Sequence, residues 1–517
     1  MKRVLISVSD KKGIVDFAKS LVFYGWEIIS SGGTAKVLKE NSINCKEISE
    51  VTGFPEILDG RVKTLNPKIH GGILAVRNKK EHLAELEKHS ILPIDMVVVN
   101  LYPFEETIAS IEKPRDKNID QKVIENIDIG GVALLRAAAK NYKDVLTVCD
   151  YNDYERIIEN INNLSDEFRL ELAAKAFRHT AYYDALISNY LSYEKFPSQS
   201  AIALKKVSNL RYGENPHQSS AVYACGIYQN TPTVLSAKQF HGKELSYNNY
   251  LDLEAAWRLV NEFEKPACAI IKHNNPCGCA EGENQKDAYL KALMCDPVSA
   301  FGGIIAFNAE VDEASALEIK KLFVECVIAP DFSLKAIEIL TQKKNIRLLK
   351  QEIPYRVKDE IEYKTISAGM LAQDRDNKLS AEIKNMTKRT PNSAEKESLI
   401  FAWKVCKHVK SNAIILVRKK QTVGIGAGQM SRIDSLHIAL KKMNEIEGLK
   451  NKIDDSHPLV LASDAFFPFP DTVKEAAKNN VRAIIQPAGS INDEESIKEA
   501  DKNDIAMIAT GMRHFKH

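Results

Sequence analysis

The chain has 517 residues, of which 44% are hydrophobic, and 71 basic side chains against 69 acidic ones leave a net charge of +2. That balance gives no global field for gripping nucleic acid or an anionic membrane, so neither is expected as a partner. No apolar run approaches the ~20 residues that span a bilayer.

The first apolar run covers residues 4–8 and stops at Ser9-Asp10. It is too short for a signal-peptide core and predicts a strand. An amphipathic helix is predicted over 14–24. A strand over 27–29 leads into Ser30-Ser31-Gly32-Gly33-Thr34 and a second helix. Strands over 96–99 and 145–149 end at Asn100-Leu101-Tyr102-Pro103 and at Asp150. Strands alternating with helices imply an open α/β domain with a parallel sheet, whose ligands bind at the carboxyl ends of the strands. A long amphipathic helix is predicted over 166–191, followed by a polar, proline-containing segment. The domain boundary is placed there, giving domains 1–197 and 198–517.

The second domain is again α/β. Strands are predicted over 268–271, 303–307, 459–462, 483–485 and 505–508. A hairpin over 413–417 and 422–424 turns around Lys419-Lys420. Ala-Ile-Ile at 269–271 precedes Ser299–Gly302, and Ala-Ile-Ile at 413–415 precedes Asp464–Phe467. The echo predicts two related halves, with chance repetition of three residues as the rival reading. Nine scattered cysteines, an odd number without a secretion signal, predict reduced thiols in a cytoplasmic protein.

Two places carry chemistry. In the first domain, Ser31-Gly32-Gly33-Thr34 at a helix start suits a phosphate, because glycines admit close approach and the helix end offers free N–H groups. Arg61 and Lys63 add cations in a loop. Asp128-Ile129-Gly130-Gly131 opens a helix that ends at Lys140. The bland alternative is a turn with a helix cap, and a solvated lysine. In the second domain, Lys272-His273 follows an apolar strand. Histidine takes protons near neutral pH and a neighbouring cation stabilises an oxyanion; the alternative is an incidental strand end. His273, Cys277 and Cys279 tempt a zinc reading. Zinc deaminases need H-x-E and P-C-x-x-C; here the glutamate is absent and the cysteine spacing is P-C-x-C, so no metal is expected.

The motifs SVSDKKG (7–13), SGGTAK (31–36), TGFPEILDGRVKTLNPKIHGGILA (52–75), NLYPFEET (100–107) and DIGGVALLRAAAKN (128–141) resemble the inosine monophosphate (IMP) cyclohydrolase domain of the bifunctional purine-biosynthesis enzymes. LRYGENPHQ (210–218), ELSYNNYLDLEAAW (244–257), IKHNNPCG (271–278), DPVSAFGGIIAFN (296–308), SNAIILV (411–417), GIGAGQMSR (424–432), SDAFFPFPD (463–471) and RHFKH (513–517) resemble the formyltransferase domain of the same family. Together the motifs run through essentially the whole chain.

The resemblance implies a methylglyoxal-synthase-like parallel-sheet domain and a larger domain of two cytidine-deaminase-like α/β halves without zinc. It implies formyl transfer from 10-formyltetrahydrofolate, a co-substrate, to aminoimidazole carboxamide ribotide (AICAR). Cyclisation of the formylated product (FAICAR) to IMP follows. No tightly bound cofactor is implied. In the first domain Lys140 becomes the proton donor and acceptor, with Lys63, Tyr102 and Asp128 beside it. Ser9, Asp10, Lys11, Ser31, Gly32, Gly33, Thr34, Arg61, Thr64, Asn100 and Ile129 line the nucleotide pocket. Asn66 stands where relatives usually have histidine, which puts any role of that imidazole in doubt. In the second domain His273 becomes the base, Lys272 the oxyanion stabiliser and Asn412 the holder of the formyl group. Arg211, Tyr212, Gly302, Glu325, Arg432 and Arg513 match nucleotide-binding positions. Ile433, Phe466, Asp471, Ser490 and Ile491 match positions lining the folate or nucleotide pockets. A homodimer that shares its formyltransferase sites is also implied. Two rival functions, a regulatory sensor built on the first domain and a metal-dependent deaminase, lack this support.

Overall fold

The computed structural model describes residues 1–111, 119–226, 232–352, 360–446 and 456–517. The chain forms two compact units, Met1–Lys205 with a short return beginning at Tyr223, and Lys206–Val222 with the remainder to His517. The predicted boundary at 197/198 thus lies eight residues before the parting of the units.

The first unit is built on β1 (Arg3–Val8), β2 (Glu27–Ser30), β3 (Lys46–Glu47), β4 (Met96–Asn100) and β5 (Leu146–Val148). Their order is β3-β2-β1-β4-β5 and every neighbouring pair is parallel. Alternate side chains feed two cores. Leu5, Ile29, Val97 and Val99 enter one, with Leu134 and Ala176 from the helices Gly130–Lys140 and Asp166–Leu191. Val4, Ile6, Ile28 and Val98 enter the other, with Phe17 and Leu21 from the helix Ile14–Phe23. Both faces are covered, which is why these strands read as unbroken apolar runs. The chain lays β2 and β3 on one side of β1, then β4 and β5 on the other. The crevice beyond the carboxyl ends of β1 and β4 is therefore the switch point, where open α/β sheets bind ligands.

After β6 (Leu204–Leu210) and β7 (Ser220–Cys225), the second unit is organised by a twelve-stranded sheet. Its strands are β8 (Lys238–His241), β9 (Ala267–Lys272), β10 (Asn275–Glu281), β11 (Ile304–Phe307), β12 (Cys326–Ala329) and β13 (Arg347–Lys350), then β16 (Lys384–Asn385), β17 (Ile414–Arg418), β18 (Gln421–Gly426), β19 (Leu459–Ser463), β20 (Val481–Gln486) and β21 (Ala506–Ala509). A separate hairpin, β14 (Ile361–Ile366) with β15 (Gly369–Asp374), lies between the two sets. The sheet order is β16-β21-β20-β19-β17-β18-β10-β9-β11-β12-β13-β8. Read outward from the antiparallel β10–β18 pair, the two sets have one order and one pattern of directions. β9, β18, β19, β20 and β21 point one way; β10, β11, β12 and β17 point the other. Each half is thus the other turned end for end.

The cores repeat the plan. One face of the sheet shares a single core under Trp257 and Trp403, carried by the matching helices Tyr247–Val260 and Ser393–Cys406. The other face has one core per half. Close contact repeats as well. A Cβ on Gly278 of β10 would run into the carbonyl of Ala292, and one on Gly426 of β18 into that of Ser435. In both halves only a glycine lets the following helix lie flat on the strand.

Sequence reading missed β3, β6, β7, β8, β10, β12, β13, β14, β15 and β16. β10 hides behind Pro276 and Gly278, which read as loop. β12, β13 and β16 are too short to show a period.

Candidate active sites

In the first unit, a cavity of about 620 Å³ opens at the switch point. Ser9, Lys11, Ser31, Gly33, Thr34, Arg61, Lys63, Thr64, Asn100, Tyr102, Asp128 and Ile129 line it. Asn100 at the end of β4 clasps the loop after β1: its Oδ1 accepts the Asp10 N–H at 3.0 Å and its Nδ2 donates to the Asp10 carbonyl at 2.8 Å. Asp10 therefore shapes the rim and does not line the cavity. Thr34 ties the start of the helix Gly32–Glu40 to β1 by donating to the Val8 carbonyl at 3.0 Å. Gly32 begins that helix at a φ of 39°. A second helix start arrives at Gly130, where an added Cβ would sit 2.6 Å from the Thr64 hydroxyl. Two helix N-termini and two lysines thus face one space, an arrangement that receives an anion.

Asp128 is the buried acid of the cavity. Its Oδ1 accepts the Gly131 N–H at 2.6 Å, and its own N–H donates to the Tyr183 hydroxyl at 2.9 Å. Burial pushes the carboxyl above its ordinary range. The N–H groups of Gly131 and Tyr102, and then the charge of Lys63, pull it back. Burial lowers the Lys11 amine, and the neighbouring Lys63 cation lowers it further. The Lys11 ammonium donates to Thr34 Oγ1 at 3.2 Å. An acid pushed up and a base pushed down that line one cavity are the pattern of groups that exchange protons.

Besides Asp10, three positions stand apart from the expectation. Lys140 does not reach this cavity. It sits in the last turn of the helix whose first turn lines the cavity, ten residues and ~15 Å along the axis. It borders a separate space with Arg136, Leu170 and Phe177. Arg61 lines the cavity but is paired with Glu125, which no sequence signal marked. Asn66 is a helix cap: its side chain accepts the Lys68 N–H at 2.9 Å ahead of Pro67.

In the second unit, strand directions bring the remaining candidates to one edge of the sheet. Lys272 and His273 end β9. Gly302 and Glu325 stand just before β11 and β12, and Asn412 just before β17. Arg432 and Ile433 follow β18, Phe466 and Asp471 follow β19, Ser490 and Ile491 follow β20, and Arg513 follows β21. Hydrogen bonds stitch the parts together. Lys272 Nζ donates to the Phe301 carbonyl at 2.8 Å. Asn275 Oδ1 accepts the Lys410 N–H at 3.0 Å, joining the His273 turn to the approach to Asn412. Asn412 Nδ2 donates to the Gln429 carbonyl at 2.9 Å, so its amide is fixed. Arg432 reaches the fully buried Asp464 at 3.3 Å. Arg432 and Arg513 both lie against the Phe515 ring. Asn492 Nδ2 donates to the Pro468 carbonyl at 3.0 Å and joins the loops of Phe466 and Ser490. Ile491 is fully exposed, and Phe301 is exposed with its ring 5.2 Å from Phe323. Arg211 and Tyr212 lie on a loop held to the helix Tyr247–Val260 by the bond from Asn248 Nδ2 to the Glu214 carbonyl, 3.3 Å.

The cysteines of β10 do not converge. A bulge between Pro276 and Gly278 sends Cys277 to one face of the sheet and Cys279 to the other. Burial pushes the Cys277 thiol up to about 12 and the Cys279 thiol well above its ordinary value. Two thiols on opposite faces cannot share an ion.

A family model described as AICARFT/IMPCHase bienzyme matches residues 138–442, and one described as MGS-like domain matches residues 13–133. Curated relatives named bifunctional purine biosynthesis protein PurH are 51% identical in Persephonella marina, 50% in Bacillus subtilis and 52% in Halalkalibacterium halodurans. Each match covers 100% of this chain and of the relative.

Proposed function

From the premise that this chain belongs to the AICARFT/IMPCHase bienzyme family, we propose that its two reactions run at the two sites described above. The chain is a bifunctional enzyme of purine biosynthesis. It transfers a formyl group to AICAR, then closes FAICAR to IMP with loss of water. Formyl transfer is assigned to the edge of the twelve-stranded sheet, and ring closure to the cavity of the parallel-sheet unit.

The AICAR amine is a poor nucleophile, because its lone pair delocalises into the ring and the carboxamide. His273 takes its proton as the nitrogen attacks the formyl carbon. The Lys272 ammonium stabilises the oxyanion, and Asn412 holds the formyl group. Tetrahydrofolate leaves from its N10, which takes up a proton. The observation that supports this reading is the arrival of all these groups at one sheet edge from strands far apart in sequence. The folate enters and leaves as 10-formyltetrahydrofolate and tetrahydrofolate, with no tightly held cofactor. A cytidine-deaminase-like ancestry of the two halves belongs to the same reading.

Ring closure is intramolecular, so holding FAICAR folded removes much of its barrier. The carboxamide nitrogen attacks the formyl carbon, and the formyl oxygen departs as water. Lys63, Lys11, Tyr102 and Asp128 are the groups assigned to its proton traffic. Lys140 is left outside this set by its distance.

A homodimer completes the reading. The β14–β15 hairpin exposes Tyr363, Ile366, Met370 and Leu371, and an isolated hairpin is marginal in water. A second copy would cover it. The setting is cytoplasmic; no helix among the described residues is long and apolar enough to cross a membrane.

Separation of function tests the assignment. His273→Ala is expected to abolish formyl transfer and to leave cyclisation of supplied FAICAR intact. Asp128→Asn is expected to do the reverse. A folded variant that lost both activities would overturn the two-site reading.

A further inference from the structure

His273 sits in a two-residue turn between the paired residues Lys272 and Asn275, and its backbone is left-handed. His273 has a φ of 52° and Asn274 a φ of 62°. Both central residues at positive φ are the mark of a type I′ turn, which prefers Asn or Gly; positive φ is uncommon for any other residue, although His takes it more readily than most. Such a conformation persists at a functional position only where its surroundings hold it.

Besides the strand pairing and a 3.4 Å bond from Asn275 Nδ2 to the His273 carbonyl, one carboxylate takes both N–H groups of the turn. Asp252, on the helix Tyr247–Val260, accepts the Asn274 N–H at 2.6 Å and the His273 N–H at 3.3 Å. Burial pushes its carboxyl up, and the N–H groups of Asn274 and His273 draw it back. A carboxyl half-buried beside Glu325 is not what a helix needs for packing. The same helix face carries two more tethers. Asn249, one turn before Asp252, donates to Glu325 Oε2 at 2.7 Å. Asn248 donates to the Glu214 carbonyl on the loop of Arg211 and Tyr212. Residues three and four apart share one side of a helix, so one rigid element sets three parts of the formyltransferase edge.

We propose that Asp252 is a positioning residue for formyl transfer, its carboxylate clamping the left-handed turn that aims the His273 imidazole. The inference rests on the assignment of His273 as the base. Asp252 touches no reacting atom; it fixes where the imidazole stands when the amine proton leaves. A displacement of ~1 Å at such a position costs up to ~100-fold in rate.

The test uses the full-length enzyme and compares Asp252→Asn with His273→Ala. Asn keeps the size of Asp252 and loses the charge that receives both N–H groups. Formyl transfer by Asp252→Asn is expected to fall about 30-fold in kcat, with KM for AICAR and for 10-formyltetrahydrofolate within about threefold. Cyclisation of supplied FAICAR by the same preparation should be unchanged. Asp252→Asn combined with Asn274→Gly should regain several-fold in kcat, because glycine takes the left-handed position without a clamp. A purely structural role would lower the melting temperature of the second unit and raise both KM values as kcat fell, and it would show no such rescue. The inference falls if Asp252→Asn keeps kcat within threefold while His273→Ala is inactive, or if both activities drop in parallel. Persistent formyl transfer by His273→Ala would instead sink the assignment on which the inference rests.

Discussion

The two sites solve different physical problems with differently built surfaces. The cavity proposed for cyclisation is local: one switch point, two helix starts and a few loops enclose about 620 Å³. The site proposed for formyl transfer is distributed: eight strands deliver groups from Lys272 to Arg513 along one sheet edge. The difference follows from the reactions. A ring closure within one molecule needs a small enclosed space and proton exchange. A transfer between two substrates needs two neighbouring surfaces with a base and an oxyanion partner between them.

The contrast can be broken in order of size. The largest effect is expected from Gly426→Val. The new side chain strikes the Ser435 backbone and levers the helix Arg432–Glu445 from β18, costing about 3 kcal/mol or more. Formyl transfer should be lost and cyclisation should survive; assays of both on one preparation decide whether the units are as separable as their sites.

Next comes a buried charge. Lys516 donates to the His408 carbonyl at 3.0 Å, and burial, followed by the charges of Arg258 and Lys410, pulls its amine down to about 8 from 10.5. The unfolded chain then binds the extra proton between those values. The penalty is full below pH 8 and disappears as pH rises to 10.5. Lys516→Met should therefore be more stable than the native chain at pH 7, by on the order of 3 kcal/mol at most. The gap should close by pH 10.5, and denaturant melts at both pH values measure it.

A smaller effect is expected at the cavity. Gly130→Ala drives a methyl against the Thr64 hydroxyl, and kcat/KM for cyclisation should fall about tenfold to 100-fold. Formyl transfer should not move, and a matching loss there would blur the comparison. The smallest is Lys140→Ala, which should leave cyclisation within about threefold. Abolished cyclisation in the folded variant would mean that this amine acts in the site of a second subunit.

Much of this was legible in the sequence, for a reason that also marks its limit. Strands β1 and β4 are apolar runs that end in Ser9-Asp10 and Asn100, so both strand and site were visible at one stroke. β10 was not, because Pro276 and Gly278 serve a bulge and a close helix contact that no periodicity encodes. Lys140 shows the opposite case: it belongs to one unbroken motif with Asp128, yet a helix carries the two ends of that motif to different spaces. The Arg61–Glu125 pair joins residues 64 apart in the chain, beyond any local signal. Asp252 lay inside a recognised motif, but its partners are backbone N–H groups of a turn that sequence alone does not place beside it.

The end-for-end relation of the halves has a consequence for how chemistry is acquired. The counterpart of the His273–Asn274 turn is Lys419–Lys420, at the opposite edge, and its φ values of 49° and 62° nearly repeat 52° and 62°. There the matching helix Ser393–Cys406 holds Lys420 through Glu397 at 3.0 Å. The bent backbone thus occurs in both copies of the plan, and the proposed base stands in only one of them. The vacant copy is a ready-made mount on which a designer, or a lineage, can install a second imidazole without rebuilding the scaffold.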